Sequence, residues 1–292
     1  MESRIDTLGQ DARLQEVAQQ VGDLPSLPAA AAEVLRQLDD PSVSADDLQR
    51  VIGRDQALAA HILRIANSAM YCLQRQVSVL SHAIAILGLD TLRSVVVAAS
   101  IRSVFYSGRR SEKSLPLHVL WEHAWGAAMA AQSIARRTAY RNSDEAFTCG
   151  LVHDLGKLVM WRNHSRTYLD IMRAVDDGGA SFCDVERELL GFTHAQVGAL
   201  LAMKWCFPVQ LVEGILHHHD LAASADHLRL TRITSLANKA MIRLGIGLEK
   251  DPDLCLDEDP CARLLGMEPD AVRELLAETG GVIVDMPDLA RR

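Results

Sequence analysis

Apolar residues recur every three or four positions along almost the whole chain, the period of amphipathic helices. Segments such as "SVSADDLQRVIGRD", "ALAAHILRIANSAMY" and "LWEHAWGAAMAAQSIA" all carry it. Composition agrees with the pattern. Apolar residues are 49% of the 292, with Ala prominent among them, and aromatics are only 4%. A chain rich in Ala and Leu with few aromatic or β-branched runs favours helix over sheet. The expected fold class is all-α.

Local signals divide this pattern. A polar helix over 11–21 ends at "VGDLPSLP", where two prolines stop it and launch the next. Ser44 reads as an N-cap, with Asp47 as the acidic residue three positions on. A helix through "HILRIA" breaks near Asn67–Ser68, whose side chains end helices by bonding the backbone; they are assigned no chemistry. "AIAILGLDTLRSVVVAAS" reads as two helices joined at "LGLD", with Gly88 as the stop. A polar bridge from Tyr106 to Pro116 marks a boundary between halves. Further helices are predicted near 117–138, 144–161, 165–176, 181–190, 194–205, 208–220 and 226–244, and a last one near 268–278.

Charge and cysteine usage exclude some function classes. A net charge of −8 argues against general nucleic-acid binding, because phosphate backbones attract basic surfaces. The "LGLDTLR" joint resembles a DNA-reading helix-turn-helix only superficially, since its second helix, "SVVVAAS", is apolar. Cys72, Cys149, Cys183, Cys206, Cys255 and Cys261 form no CxxC pair and read as reduced thiols, most of them buried. "MESRIDTLGQDARLQ" lacks the apolar core of a signal peptide, and "VVVAASI" is far too short to cross a bilayer at about 20 residues. A soluble cytoplasmic protein is expected, with no membrane partner.

The chemistry is concentrated in polar residues within apolar stripes. In "CGLVHDLGKLVMW", His153 and Asp154 sit side by side in a run that reads as one helix. His123 shares a helix face with Leu120, Ala127 and Ile134. Thr193 is a plausible N-cap, and His194 lines up with Val197 and Leu201. The three histidines of "ILHHHD" sweep about 200° of a helix, so they cannot all serve one site. The stripe through Leu211 and Ile215 leads to His218 and His219, leaving His217 toward solvent. His123, His153, Asp154, His194, His218 and His219 thus fall on inward faces of four helices. Burying each unpartnered polar group costs roughly 1–3 kcal/mol. A shared metal ion or a dense hydrogen-bond network would offset that cost. Imidazoles with a carboxylate suit one or two divalent ions of Fe, Mn, Zn, Co or Ni, and do not choose among them.

These residues in this order resemble the HD superfamily of metal-dependent phosphohydrolases, and more specifically its HDOD branch, the HD-related output domain of bacterial signalling and regulatory proteins. "LPSLP", "HILRIANSAMY", "AIAILGLDTLR", "LWEHAW", "GLVHDLGKLVM", "HAQVGALLAMKWCFP" and "ILHHHD" carry the resemblance from about Asp23 to Gly245. It implies an N-terminal segment over 1–22 and an HDOD domain over 23–245. The domain divides into a helical N-terminal half of about 23–112 and an HD-like half of about 113–245; a tail over 246–292 has one short helix. The resemblance also implies a regulatory role through a protein partner.

Two departures bear on activity. HD hydrolases end their ligand set with an Asp on a late helix, where this chain offers Asn238, an amide without charge or basicity. The "GYP" segment of the branch that hydrolyses cyclic di-GMP is missing after "HHHD", where "LAASADHLRL" follows. The leading expectation is therefore a signalling module, leaning away from enzyme, with a polar cluster that holds metal or only shape. The alternative is a metal-dependent phosphohydrolase acting on a nucleotide or phosphomonoester, with Lys157 as a phosphate contact or simply a solvated lysine. A small-molecule sensor is the third reading.

Overall fold

The structure is a computed structural model and describes residues 11–67, 76–106, 117–176, 180–221 and 227–284. The described residues form helices and connecting turns, and no strand is among them. The chain is all-α. It divides into two compact units, one of residues 25–109 and one of 1–24 with 110–292.

The 25–109 unit holds α2 (Ala29–Gln37), α3 (Ala45–Ile52), α4 (Gln56–Ala66) and α5 (Leu80–Tyr106). Ser44 caps α3 in a full capping box: its hydroxyl accepts from the Asp47 N–H, and Asp47 accepts from the Ser44 N–H. Asp55 caps α4 by accepting from the N–H groups of Ala57 and Leu58. At the other end of α4, the Asn67 amide donates to the carbonyls of Leu63 and Val77 and accepts from the Val77 N–H, all at 2.7–2.8 Å. It therefore ties the helix end to the backbone ten residues on. Ser68 lies outside the described residues.

The other three helices pack on α5, which bends at Gly88 (φ 75°, ψ 166°) where the sequence places a stop. Its core is Ala83, Ile84, Leu92, Val96 and Val97. By length and composition Leu80–Ile101 could cross a membrane, but 56% of its apolar window is buried inside the protein. The second helix of the "LGLDTLR" joint is likewise a core element. The bridge predicted between the halves falls largely on 107–116, outside the described residues.

The second unit holds α1 (Ala12–Gln20), α6 (Leu117–Arg137), α7 (Ser143–Val152), α8 (Leu155–Asn163), α9 (Ser165–Asp176), α10 (Phe182–Leu190), α11 (His194–Lys204), α12 (Val209–His217), α13 (Leu228–Arg243), α14 (Pro260–Leu264) and α15 (Pro269–Val284). The long α6 packs against α7, α13 and α15, and α11 packs against α1, α8 and α12. The α1 end is held by Asn163, whose amide donates to the Val21 carbonyl at 2.7 Å. Arg137 on α6 pairs with Glu274 and Glu278 of α15 at 2.9 and 3.1 Å. The C-terminal region thus adds two helices where one was expected.

The single helix predicted over 144–161 is two. Val152 ends α7, Leu155 begins α8, and His153 and Asp154 form the joint. Asp154 sits at φ −100°, ψ 11°, a sparsely populated region common in functional sites. The helix predicted over 208–220 also stops early, at His217, so His218 and His219 lie just past its end.

Candidate metal centre

Four elements present the six predicted polar side chains to one another. His123 comes from α6, His153 and Asp154 from the α7–α8 joint, His194 from the first turn of α11, and His218 and His219 from the end of α12. The approach is close because Gly156 lies against the start of α11, where a Cβ would come within 1.9 Å of the His194 carbonyl oxygen. Thr193 caps α11 in a capping box with Gln196, fixing where the helix and its first residue begin. His123, His153, Asp154, His194 and His218 are buried, and His219 is exposed.

Asp154 lies at the centre. Its Oδ2 is 3.5 Å from Nε2 of both His123 and His153, and accepts from Lys157 Nζ at 2.7 Å. Its Oδ1 is 3.2 Å from His194 Nε2 and 3.8 Å from His218 Nε2. His194 Nε2 is in turn 3.1 Å from His219 Nε2, and His123 Nε2 is 3.3 Å from His153 Nε2. The ligand atoms form two groups sharing Asp154: His123 with His153, and His194 with His218 and His219. Within each group they lie within 4.8 Å of one another.

The far nitrogen of each buried ring is already committed. Nδ1 of His123, His153 and His218 lies 2.9, 2.7 and 2.6 Å from the carbonyls of Ile246, Gly150 and Ile215. A carbonyl can only accept, so each Nδ1 carries the proton and each Nε2 presents a lone pair inward. His194 Nδ1 is 2.7 Å from Glu186 Oε2, which also accepts from the His194 N–H at 2.8 Å. This is the second layer that orients metal-binding histidines.

Electrostatics match that arrangement for His123, His153 and His218, while His194 is drawn toward its protonated form. Burial pushes His123 down to about 4 and lowers His153 and His218, keeping these rings neutral. Burial alone would raise Asp154, but His153, Lys157 and His194 hold it well below the usual carboxylate range. Burial opposes the charge on Lys157, yet the adjacent Asp154 wins and raises its pKa. His194 is raised too, because Glu186 and Asp154 outweigh its burial.

The residues fit a cation. Asp154 Oδ1 and His218 Nε2 are buried without a hydrogen-bond partner, and the Nε2 atoms of His123 and His153, and of His194 and His219, face each other. A divalent ion satisfies these atoms together, and imidazole with carboxylate suits transition metals.

Glu186 and Gly247 escape the sequence pattern, and Lys157, read as a phosphate contact or a solvated lysine, proves to be buried. Glu186 is fully buried behind His194, and its trace in the sequence is an acid on the α10 stripe of Phe182, Cys183 and Val185. Lys157 is buried rather than solvated, with Nζ 4.6 Å from the Phe182 ring centre. Gly247 packs on His123: a Cβ there would meet Nδ1 at 2.6 Å, and φ is +120°, so only glycine fits readily. Asn238, on α13, has its amide oxygen 3.0 Å from His123 Nε2.

Known proteins share this architecture. A stretch of 224 residues, 76% of the chain, is 25% identical to an uncharacterised protein of Treponema pallidum (strain Nichols), and spans 43% of that protein's length. The chain therefore covers less than half of this curated relative. An HDOD domain protein of unknown function from Geobacter sulfurreducens superposes with a TM-score of 0.80 at 26% identity, covering 98% of this chain and 99% of that one. A candidate phosphohydrolase of Shewanella amazonensis SB2B gives a TM-score of 0.73 at 28% identity, covering 94% and 97%. Residues 24–221 match the HDOD domain family. With that match over more than half of its length, the chain belongs to the HDOD family.

Proposed function

We propose that this chain is a cytoplasmic regulatory module that works mainly through contacts with a signalling protein, and that its buried histidine–aspartate cluster holds a divalent transition-metal ion. The observation that carries this reading is how the acids of the cluster are used. Asp154 is already paired with Lys157 at 2.7 Å, and the late-helix position where HD hydrolases carry an Asp is Asn238. An ion held by neutral imidazoles and one shared carboxylate stabilises the fold. Activating water for attack on phosphate asks for an open position and a base nearby, and an amide supplies no base. The membership in a family of output domains supports the regulatory role.

A second reading, a metal-dependent phosphohydrolase, is favoured by Lys157: an ammonium beside the candidate ion is suited to a phosphate oxygen. The likeness to the candidate phosphohydrolase points the same way. One assay separates the two. The purified chain is supplied with Mn, Fe, Co or Ni and offered nucleotides, phosphomonoesters and cyclic di-GMP. Turnover equal to that of Asp154→Ala is expected. Metal-dependent turnover in the ordinary range of about 1–1000 per second, lost in Asp154→Ala, overturns the regulatory reading in favour of the enzyme.

A further inference from the structure

We infer that the two halves of the cluster are unequal, and that the chain binds a single ion through Asp154 Oδ1, His194, His218 and His219 while Lys157 and Asn238 stand in for a second cation on the His123–His153 side. This rests on the metal reading above and adds where the ion sits and why there is one.

The His194 side is incomplete as it stands. Asp154 Oδ1 and His218 Nε2 are the cluster's two buried atoms without hydrogen-bond partners, and both belong to this half. Its contacts of 3.1, 3.2 and 3.8 Å bring three imidazole nitrogens and one carboxylate oxygen together. A tetrahedral ion with bonds of about 2.0–2.1 Å spaces its ligand atoms by about 3.3 Å, so the atoms already stand near that spacing. Glu186 behind His194 orients that ring and strengthens it as a donor.

The His123 side is more nearly satisfied by the protein itself, with only His153 Nε2 left without a donor. Asp154 Oδ2 is neutralised by the Lys157 ammonium at 2.7 Å. His123 donates its Nδ1–H to the Ile246 carbonyl, so its Nε2 is a lone pair facing the Asn238 amide at 3.0 Å. The amide satisfies that lone pair when its NH2 end is turned inward, an orientation equivalent in shape to the oxygen-in one. An aspartate there would have no proton to give. What remains is His153 Nε2, one neutral donor, too few to hold an ion against water.

The test loads the full-length chain with Co2+, removes loosely held metal by buffer exchange, and reads bound metal per chain and the visible absorption of tetrahedral cobalt. About one ion per chain with tetrahedral absorption is expected. His219→Ala should weaken binding at least ~10-fold, the scale of a lost ligand or orienting group, and as His219 is exposed the fold should stand. His123→Gln should change affinity by less than ~3-fold, well under that scale. The double variant Lys157→Met with Asn238→Asp should take up a second ion. Two ions in the wild type, or an ion kept in His219→Ala and lost in His123→Gln, overturns the asymmetry and leaves the metal reading intact. No ion in the wild type or any variant overturns the metal reading, and the asymmetry with it.

Discussion

Gly156 and His194 meet backbone to backbone, with no room for a methyl group between the start of α8 and the start of α11. That contact sets how closely Asp154 and His194 approach. Gly156→Ala is expected to destabilise the chain by about 3 kcal/mol or more, because a rigid carbonyl cannot step aside as a flexible side chain would. Denaturant melts measure the loss. A change under about 0.5 kcal/mol, the range of ordinary surface substitutions, contradicts the close approach.

Glu186 holds His194 from behind through two contacts, at 2.7 and 2.8 Å. Glu186→Gln keeps the shape and one acceptor oxygen but removes the charge that favours an electron-rich His194. Metal affinity should fall about 10-fold, the lower end for lost orienting groups. Titration calorimetry with Zn2+ or Co2+ reads it, and unchanged affinity would show that Glu186 is only a core acid.

The cysteines supply a prediction in alkali. Burial pushes the Cys149 thiol up to about 12, against an ordinary value near 9. From about pH 9 toward about 12 the unfolded chain has lost this proton and the folded chain keeps it. Stability therefore falls as pH rises through that window, by up to ~1.4 kcal/mol per pH unit for one group. The slope should be shallower in Cys149→Ala. In the native protein Cys206 and Cys255, both exposed, should react with a thiol reagent at pH 8, while buried Cys149, Cys183 and Cys261 should react only after unfolding. Rapid native labelling of Cys149 contradicts the packing around it.

The contrast between Ser44 and Asp154 explains how much was legible in advance. Ser44 and Thr193 start helices through bonds to residues three positions on, so the signal is local and the sequence shows it. The same holds for Gly88, whose backbone leaves the helical region where the sequence places a stop. The break at His153–Asp154 has no such marker: "CGLVHDLGKLVMW" is a run that suits one helix, and the break appears only in the packed unit. His123, His194 and His218 are buried as their stripes suggest, since burial of a helix face repeats with its period, whereas His219, read as inward, is exposed because the helix ends at His217. Their outer supports could not be read from the stripes. Ile246 and Gly247 touch His123 from more than 120 residues away, and the sequence leaves Lys157 open between a phosphate contact and a solvated lysine, whereas Asp154 and Phe182 enclose it.

Whether the cluster holds an ion is read most directly by melting the metal-loaded chain with and without a chelator, for the wild type, His219→Ala and Asp154→Ala. Free metal at 100 times its dissociation constant stabilises a folded chain by about 2.7 kcal/mol, which raises Tm by roughly 4–5 °C for a chain of this size. The chelator should remove that increment from the wild type, about half of it or more should already be missing in His219→Ala after a ~10-fold loss of affinity, and Asp154→Ala should melt alike in both conditions. Identical wild-type melting with and without chelator would contradict the metal centre and leave the cluster as a hydrogen-bonded polar core.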